Sequence, residues 1–112
     1  MSDLLLETVK KYWGYDTLRP LQREAMTAAI EKRDSLVIMP TGGGKSLCYQ
    51  TPALLSDSLT VVVSPLISLM KDQVDRLLSR GVPAAFVNSS LDAADKSRVQ
   101  AGVARGEYRM IF

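Results

Sequence analysis

The chain has 112 residues, a length for one small domain with one core. Apolar and charged residues, at 46% and 23%, are in the range of an ordinary globular chain, and a net charge of +2 is too weak to argue for nucleic acid without clustering on one face. The single Cys48 excludes an internal disulfide and fits a reducing compartment, and the absence of histidine removes any histidine-based metal site or triad. No apolar run approaches the roughly 20 residues of a membrane span, so no membrane partner is expected. The N-terminus lacks a basic region ahead of its leucines and meets Glu7 at once, so no signal peptide is expected and the chain reads as cytoplasmic.

In chain order, residues 3–13 read as an amphipathic helix with Leu5, Leu6, Val9 and Trp13 at helical spacing, ended by Gly14. Pro20 suits the first position of a second helix, running to about Glu31 with Leu21, Ala25, Ala28 and Ala29 on one face. Residues 35–39 are apolar throughout and read as a strand covered on both faces. A helix is expected from near Gly44, with Pro52 kinking or ending it. Residues 60–63 form a second buried strand. Pro65 opens a long helix with a stripe of Leu66, Leu69, Met70, Val74, Leu77 and Leu78, an outer pair Asp72–Arg76, and a cap at Gly81. Residues 84–87 make a third strand, 92–104 a helix, and 110–112 a fourth strand. Strands alternating with helices predict an α/β fold with a mainly parallel sheet.

Between the first strand and its helix lies Pro40-Thr41-Gly42-Gly43-Gly44-Lys45-Ser46. Glycines let the backbone take conformations closed to other residues and approach a ligand without a Cβ in the way. Successive N–H groups at a helix start make a nest for phosphate oxygens. Lys45 is placed to reach the β- and γ-phosphates as the catalytic cation, and the Ser46 hydroxyl to ligate Mg²⁺. The pattern G-x-x-x-x-G-K-[ST] is incomplete, because Met39 stands where its first glycine belongs. Met39 closes the strand, where the backbone must curve but need not take positive φ. A glycine-rich turn before an unrelated helix is the competing reading; the strand before and helix after favour nucleotide.

Three segments resemble one family. Residues 14–22, Gly-Tyr-Asp-Thr-Leu-Arg-Pro-Leu-Gln, look like the adenine-recognising motif of RecQ-type DNA helicases. Residues 39–50, Met-Pro-Thr-Gly-Gly-Gly-Lys-Ser-Leu-Cys-Tyr-Gln, resemble that family's phosphate loop, where the methionine is normal. Residues 61–74, from Val61 through Ser64-Pro65-Leu66-Ile67-Ser68-Leu69-Met70-Lys71 to Val74, are similar to its next, DNA-touching motif. Order and spacing agree over nearly the whole chain. The resemblance implies a RecA-like fold, ATP with Mg²⁺, single-stranded and duplex DNA as partners, and a cytoplasmic, nucleoid-associated protein.

Read alone, Tyr15 is a core residue and Gln22 a solvated one. With the resemblance, Gln22 pairs with adenine through its amide, Tyr15 stacks on the base and Arg19 adds a stacking or polar contact. Thr41, Gly42, Gly43, Gly44, Lys45 and Ser46 complete the nucleotide set. Ser64, Ser68 and Lys71 are the candidates for sugar-phosphate contact; the plainer alternative is a strand-to-helix turn with a solvated lysine. Asn88-Ser89-Ser90 is either a polar turn near DNA or a plain Asx turn. Cys48 reads as a small buried residue and Trp13 as a core anchor.

The family's cycle also needs an adjacent Asp-Glu pair to hold Mg²⁺ and activate water, and Asp and Glu are nowhere adjacent in residues 1–112. The chain therefore reads as the N-terminal part of a first RecA-like motor domain, truncated and poorly stable alone, from a 3′–5′ DNA helicase. The alternatives are a non-catalytic nucleotide- or DNA-binding module and another phosphate-loop enzyme such as a small-molecule kinase.

Overall fold

The computed structural model describes residues 3–40 and 44–112; Thr41, Gly42 and Gly43 of the expected phosphate loop lie outside the described residues. Length alone argues for one core, but the chain divides into two compact units, Met1–Asp57 and Ser58–Phe112.

The first unit is helical. Helix α1, Leu4–Trp13, starts where the Asp3 carboxylate accepts the Leu6 N–H at 3.3 Å. Glu7 in its first turn and Lys10 and Lys11 in its last suit the helix dipole. Gly14 ends it with φ +77°, its N–H donating to the Lys10 carbonyl. Helix α2 is Gln22–Ile30, beginning two residues after Pro20. The cause is Leu21, whose φ of +71° is left-handed and cannot continue a helix. The buried face moves accordingly to Gln22, Ala25, Met26 and Ala28, leaving Leu21 and Ala29 exposed.

At its far end Lys32 takes φ +59°, with the Lys32 N–H on the Ala29 carbonyl and the Arg33 N–H on that of Ala28. This is a Schellman turn with lysine where glycine is favoured. Lys32→Gly is expected to leave the structure intact and raise stability by about 0.5–1 kcal/mol, read as the urea midpoint.

Helix α3 is Leu47–Leu55. Pro52 lies inside it and does not end it. Proline removes only the bond to the Cys48 carbonyl, and the buried ring keeps its packing. Leu5, Val9, Met26 and Leu47 form the core of this unit, with Trp13 and Leu18 packed against it. Trp13 thus serves as the expected anchor. The Arg23 guanidinium makes a two-pronged contact with Asp3, at 3.0 and 2.6 Å, joining the starts of α1 and α2.

That contact, and then the Leu6 N–H, hold the Asp3 carboxyl below its ordinary range. A depressed carboxyl stabilises the fold above the unfolded-state value and loses that contribution as pH falls through the folded one. The melting temperature is expected to drop more steeply below about pH 4 in the natural chain than in Asp3→Asn.

Residues 35–39 do not form the expected strand: among the described residues no ladder engages them, and Leu36 and Ile38 are 88% and 80% exposed. An apolar run becomes a strand only when a neighbour satisfies its backbone groups. Met39 is buried and takes no positive φ, as expected for the end of that run.

The second unit is α/β. Strands β1 (Thr60–Val61), β2 (Ala84–Ala85) and β3 (Met110–Ile111) form a parallel sheet in the order β1-β3-β2. Thr60 and Ala84 both stand opposite Met110, and Val61 and Ala85 opposite Ile111. Val62 adds one more bond, its N–H on the Ile111 carbonyl at 2.8 Å, but Val63 is 93% exposed. Residues 60–63 are thus an edge, not a buried strand, because only one side of β1 is paired.

Helix α4, Ile67–Ser79, packs on β2. Pro65 lies two residues ahead of it rather than opening it. Met70, Val74 and Leu77 are buried, whereas Leu66, Leu69 and Leu78 are exposed, so only the centre of the expected stripe reaches the core. The side-chain pair on its outer face is Lys71–Asp75, at 2.7 Å, one residue earlier than Asp72–Arg76. Gly81, at φ +81°, closes it in a full Schellman turn: the Val82 N–H reaches the Leu77 carbonyl and the Gly81 N–H that of Leu78.

Helix α5, Ala93–Ala104, opens on Asp92, whose carboxylate accepts the Asp95 N–H at 2.7 Å. No helix among the described residues is long and apolar enough to cross a membrane.

Candidate nucleotide-binding site

The sequence-derived site residues fall in both units, and each group has its own setting. In the first unit, the turn before α3 carries Gly44, Lys45 and Ser46. Gly44 has φ +82°, the left-handed geometry for which glycine was expected. Helical bonding starts with the Cys48 N–H on the Lys45 carbonyl, so the amides of Lys45, Ser46 and Leu47 precede the ladder. No acidic residue occupies the first turn of α3, and Ser46 makes no capping bond from its hydroxyl. A helix start with lead amides, no carboxylate and an exposed Lys45 favours an anion. The helix itself begins three residues later than Gly44, because residues 44–46 are the turn that presents those amides.

The segment that precedes α2 reaches this turn through one side chain. Gln22 is 1% exposed; its Oε1 accepts the Arg19 N–H at 2.7 Å and its Nε2 donates to the Gly44 carbonyl at 3.1 Å. Tyr15 is 51% exposed and Arg19 is exposed too. The plain readings of these residues are therefore reversed: the glutamine is inside and the tyrosine outside. An aromatic ring left in solvent is available to a planar ligand in a way that a core residue is not. The Gln22–Gly44 link spans 22 residues, and no local sequence signal announces it.

Cys48 is half-buried, with its Sγ 3.8 Å from the Gly44 carbonyl, and burial pushes its thiol pKa up, which suits a packing residue. Among the described residues no group of three or more His, Cys, Asp or Glu is placed to hold a metal. Mg²⁺ commonly binds with nucleotides on one hydroxyl plus phosphate and water, a donor set that the Ser46 hydroxyl would fit.

The second unit carries Ser64, Ser68 and Lys71. The Ser64 Oγ accepts the Leu66 N–H at 3.2 Å, forming the turn into α4. Ser68 and Lys71 are exposed, three residues apart on α4. Asp75 engages Lys71, and that hydrogen bond raises the lysine pKa. Asn88 forms a plain Asx turn, its Oδ1 accepting the Ser90 N–H at 2.8 Å while its Nδ2 faces Met70.

The chain belongs to the DEAD/DEAH box helicase family, whose model matches residues 19–111. Its relatives place it further. It is 48% identical over 107 residues to the ATP-dependent DNA helicase RecQ of Haemophilus influenzae, covering 96% of this chain and 17% of that protein. It is 46% identical over 102 residues to RecQ of Bacillus subtilis, covering 90% and 17%. It is 42% identical over 108 residues to RecQ of a Synechocystis species, covering 96% and 23%. The chain thus spans about a fifth of the length of these relatives.

Proposed function

We propose that the protein is an ATP-dependent DNA helicase of the RecQ type, with residues 1–112 forming the N-terminal part of its first RecA-like domain. The observation that carries the nucleotide half is the meeting at Gly44 of the 15–22 segment and the phosphate turn. Tyr15 stacks on adenine, and Arg19 and Gln22 border the base. Thr41, Gly42, Gly43 and Gly44 are the residues assigned to the phosphates by their sequence. Lys45 sets its charge on the β- and γ-phosphates, where negative charge shifts during phosphoryl transfer. Ser46 is the protein's ligand to Mg²⁺, which when bound neutralises phosphate charge. The names of the relatives support ATP and DNA; the glycine turn and lead amides support phosphate.

In the second unit, Ser64, Ser68 and Lys71 contact the sugar-phosphate strand, a role without sequence preference. Translocation is 3′ to 5′ along single-stranded DNA, opening duplex ahead of it, in a cytoplasmic, nucleoid-associated protein. Since Asp75 competes with phosphate for Lys71, Asp75→Asn is expected to tighten single-stranded DNA binding several-fold at low salt. Lys71→Ala is expected to weaken binding and lower the slope of log affinity against log salt by about 0.7. Fluorescence anisotropy across a salt series reads both.

DNA-stimulated ATP hydrolysis and strand separation by a protein extended past Phe112 test the function directly; residues 1–112 alone, with no Asp-Glu pair, are expected to be inactive. The reading requires ATP turnover that rises with single-stranded DNA and fails with GTP. Nucleotide binding without turnover would leave only a binding module.

A further inference from the structure

The nucleotide reading places Gln22 beside the base, yet both ends of its amide are committed to backbone. We propose that Gln22 is a positioning residue for the phosphate loop: by holding the Gly44 carbonyl it aims the Lys45 backbone N–H at the phosphates. This role rests on the nucleotide reading for the identity of the ligand, and on geometry for the rest.

The peptide between Gly44 and Lys45 is planar and trans, so its C=O and N–H point to opposite sides. With the carbonyl held 3.1 Å from Gln22 Nε2, the Lys45 N–H points away from Gln22. Gln22 is itself braced. It is the first residue of α2, is 1% exposed, and its Oε1 takes the Arg19 N–H at 2.7 Å. Turning the amide over would set donor against donor and acceptor against acceptor in a buried place. A bare start to α2 needs only the Oε1 bond; the Nε2 bond reaches across 22 residues to the loop. Gly44 is shaped to it, since a Cβ there would collide with Nε2. The Cys48 Sγ, 3.8 Å from the same carbonyl, approaches it from α3. The backbone beside the base is thereby tied, through one side chain, to the backbone beside the phosphates.

A residue that acts on the base alone matters only to ligands that have a base. Magnesium tripolyphosphate, which has none, separates the two roles. The full chain and the variants Gln22→Met and Gln22→Glu are titrated calorimetrically with magnesium tripolyphosphate and with MgATP, folding being checked by circular dichroism. Methionine keeps the volume and loses both bonds. Glutamate keeps the acceptor for Arg19 but faces the Gly44 carbonyl with an oxygen.

Both variants are expected to bind tripolyphosphate about ten-fold or more weakly, in parallel with ATP. Unchanged tripolyphosphate affinity alongside weakened ATP binding would overturn the positioning role and leave Gln22 a base contact. Failure of the natural chain to bind either ligand would overturn the nucleotide reading, and this role with it. One measurement needs no variant: tripolyphosphate is expected to shift the Lys45 amide proton downfield in the natural chain. Saturable binding with that proton unmoved would overturn the proposal.

Discussion

Replacing Gly44 by alanine is expected to destabilise the first unit by about 3 kcal/mol and to remove nucleotide binding with it. Two costs add. A φ of +82° in a residue with a Cβ costs about 1–2 kcal/mol. The new Cβ also lands on Gln22 Nε2, the tip of a side chain that is long but not free to yield. It is buried and bonded at both ends, and moving it breaks hydrogen bonds worth about 1 kcal/mol each. The urea midpoint is expected to fall by about 1 M or more. The double variant Gly44→Ala, Gln22→Ala should be less destabilised than the sum of the singles, since the second change removes what the first one strikes. Strict additivity, or a Gly44→Ala midpoint within experimental scatter of the natural chain, would show that the turn is not built around this contact.

Lys45→Ala is expected to leave stability within about 0.5 kcal/mol, because the side chain is exposed. In the DNA-stimulated assay of the protein extended past Phe112 it should lower ATP turnover by about 100-fold or more, the scale of losing one group aimed at transition-state charge. Lys45→Arg should not restore the rate, since a planar fork does not replace a compact ammonium among phosphate oxygens. A turnover reduced only a few-fold in Lys45→Ala would remove the lysine from the chemistry.

The difference between these two residues shows what was legible in the sequence. Lys45 announces itself by type and position after three glycines. Helices α1, α4 and α5 do the same, because their signals are local: Asp3 and Asp92 cap their starts, and Gly14 and Gly81 turn left-handed at their ends. The register of α2 was not legible, since it depends on Leu21 adopting a φ that leucine rarely takes. Residues 35–39 carry the composition of a buried strand, but burial and pairing come from neighbours and not from the run itself. The half-exposed stripe of α4 has the same origin.

The site divides along the same line. The left-handed turn at Gly44 follows from its glycine before lysine and serine, and the parallel sheet from the spacing of its crossovers. The placement of Gln22 does not, because a buried amide linking two backbone segments is a tertiary fact. Its sequence neighbourhood suggested a solvated residue; the structure gives a brace. Lys71 was legible as a cation, but its engagement by Asp75 was not, since Asp72 and Arg76 offer the same spacing in the better order.

We propose that the turn before α3 and the segment before α2 form one nucleotide site. Amide-resolved NMR of the full chain titrated with MgATP to about 1 mM, the upper end of ordinary nucleotide affinities, tests it most directly. Saturable one-to-one shifts are expected at Gly44, Lys45, Ser46 and Leu47, together with Tyr15, Arg19 and Gln22. Shifts confined to residues 58–112, or movement of the phosphate turn with Tyr15 and Gln22 unchanged, would contradict it.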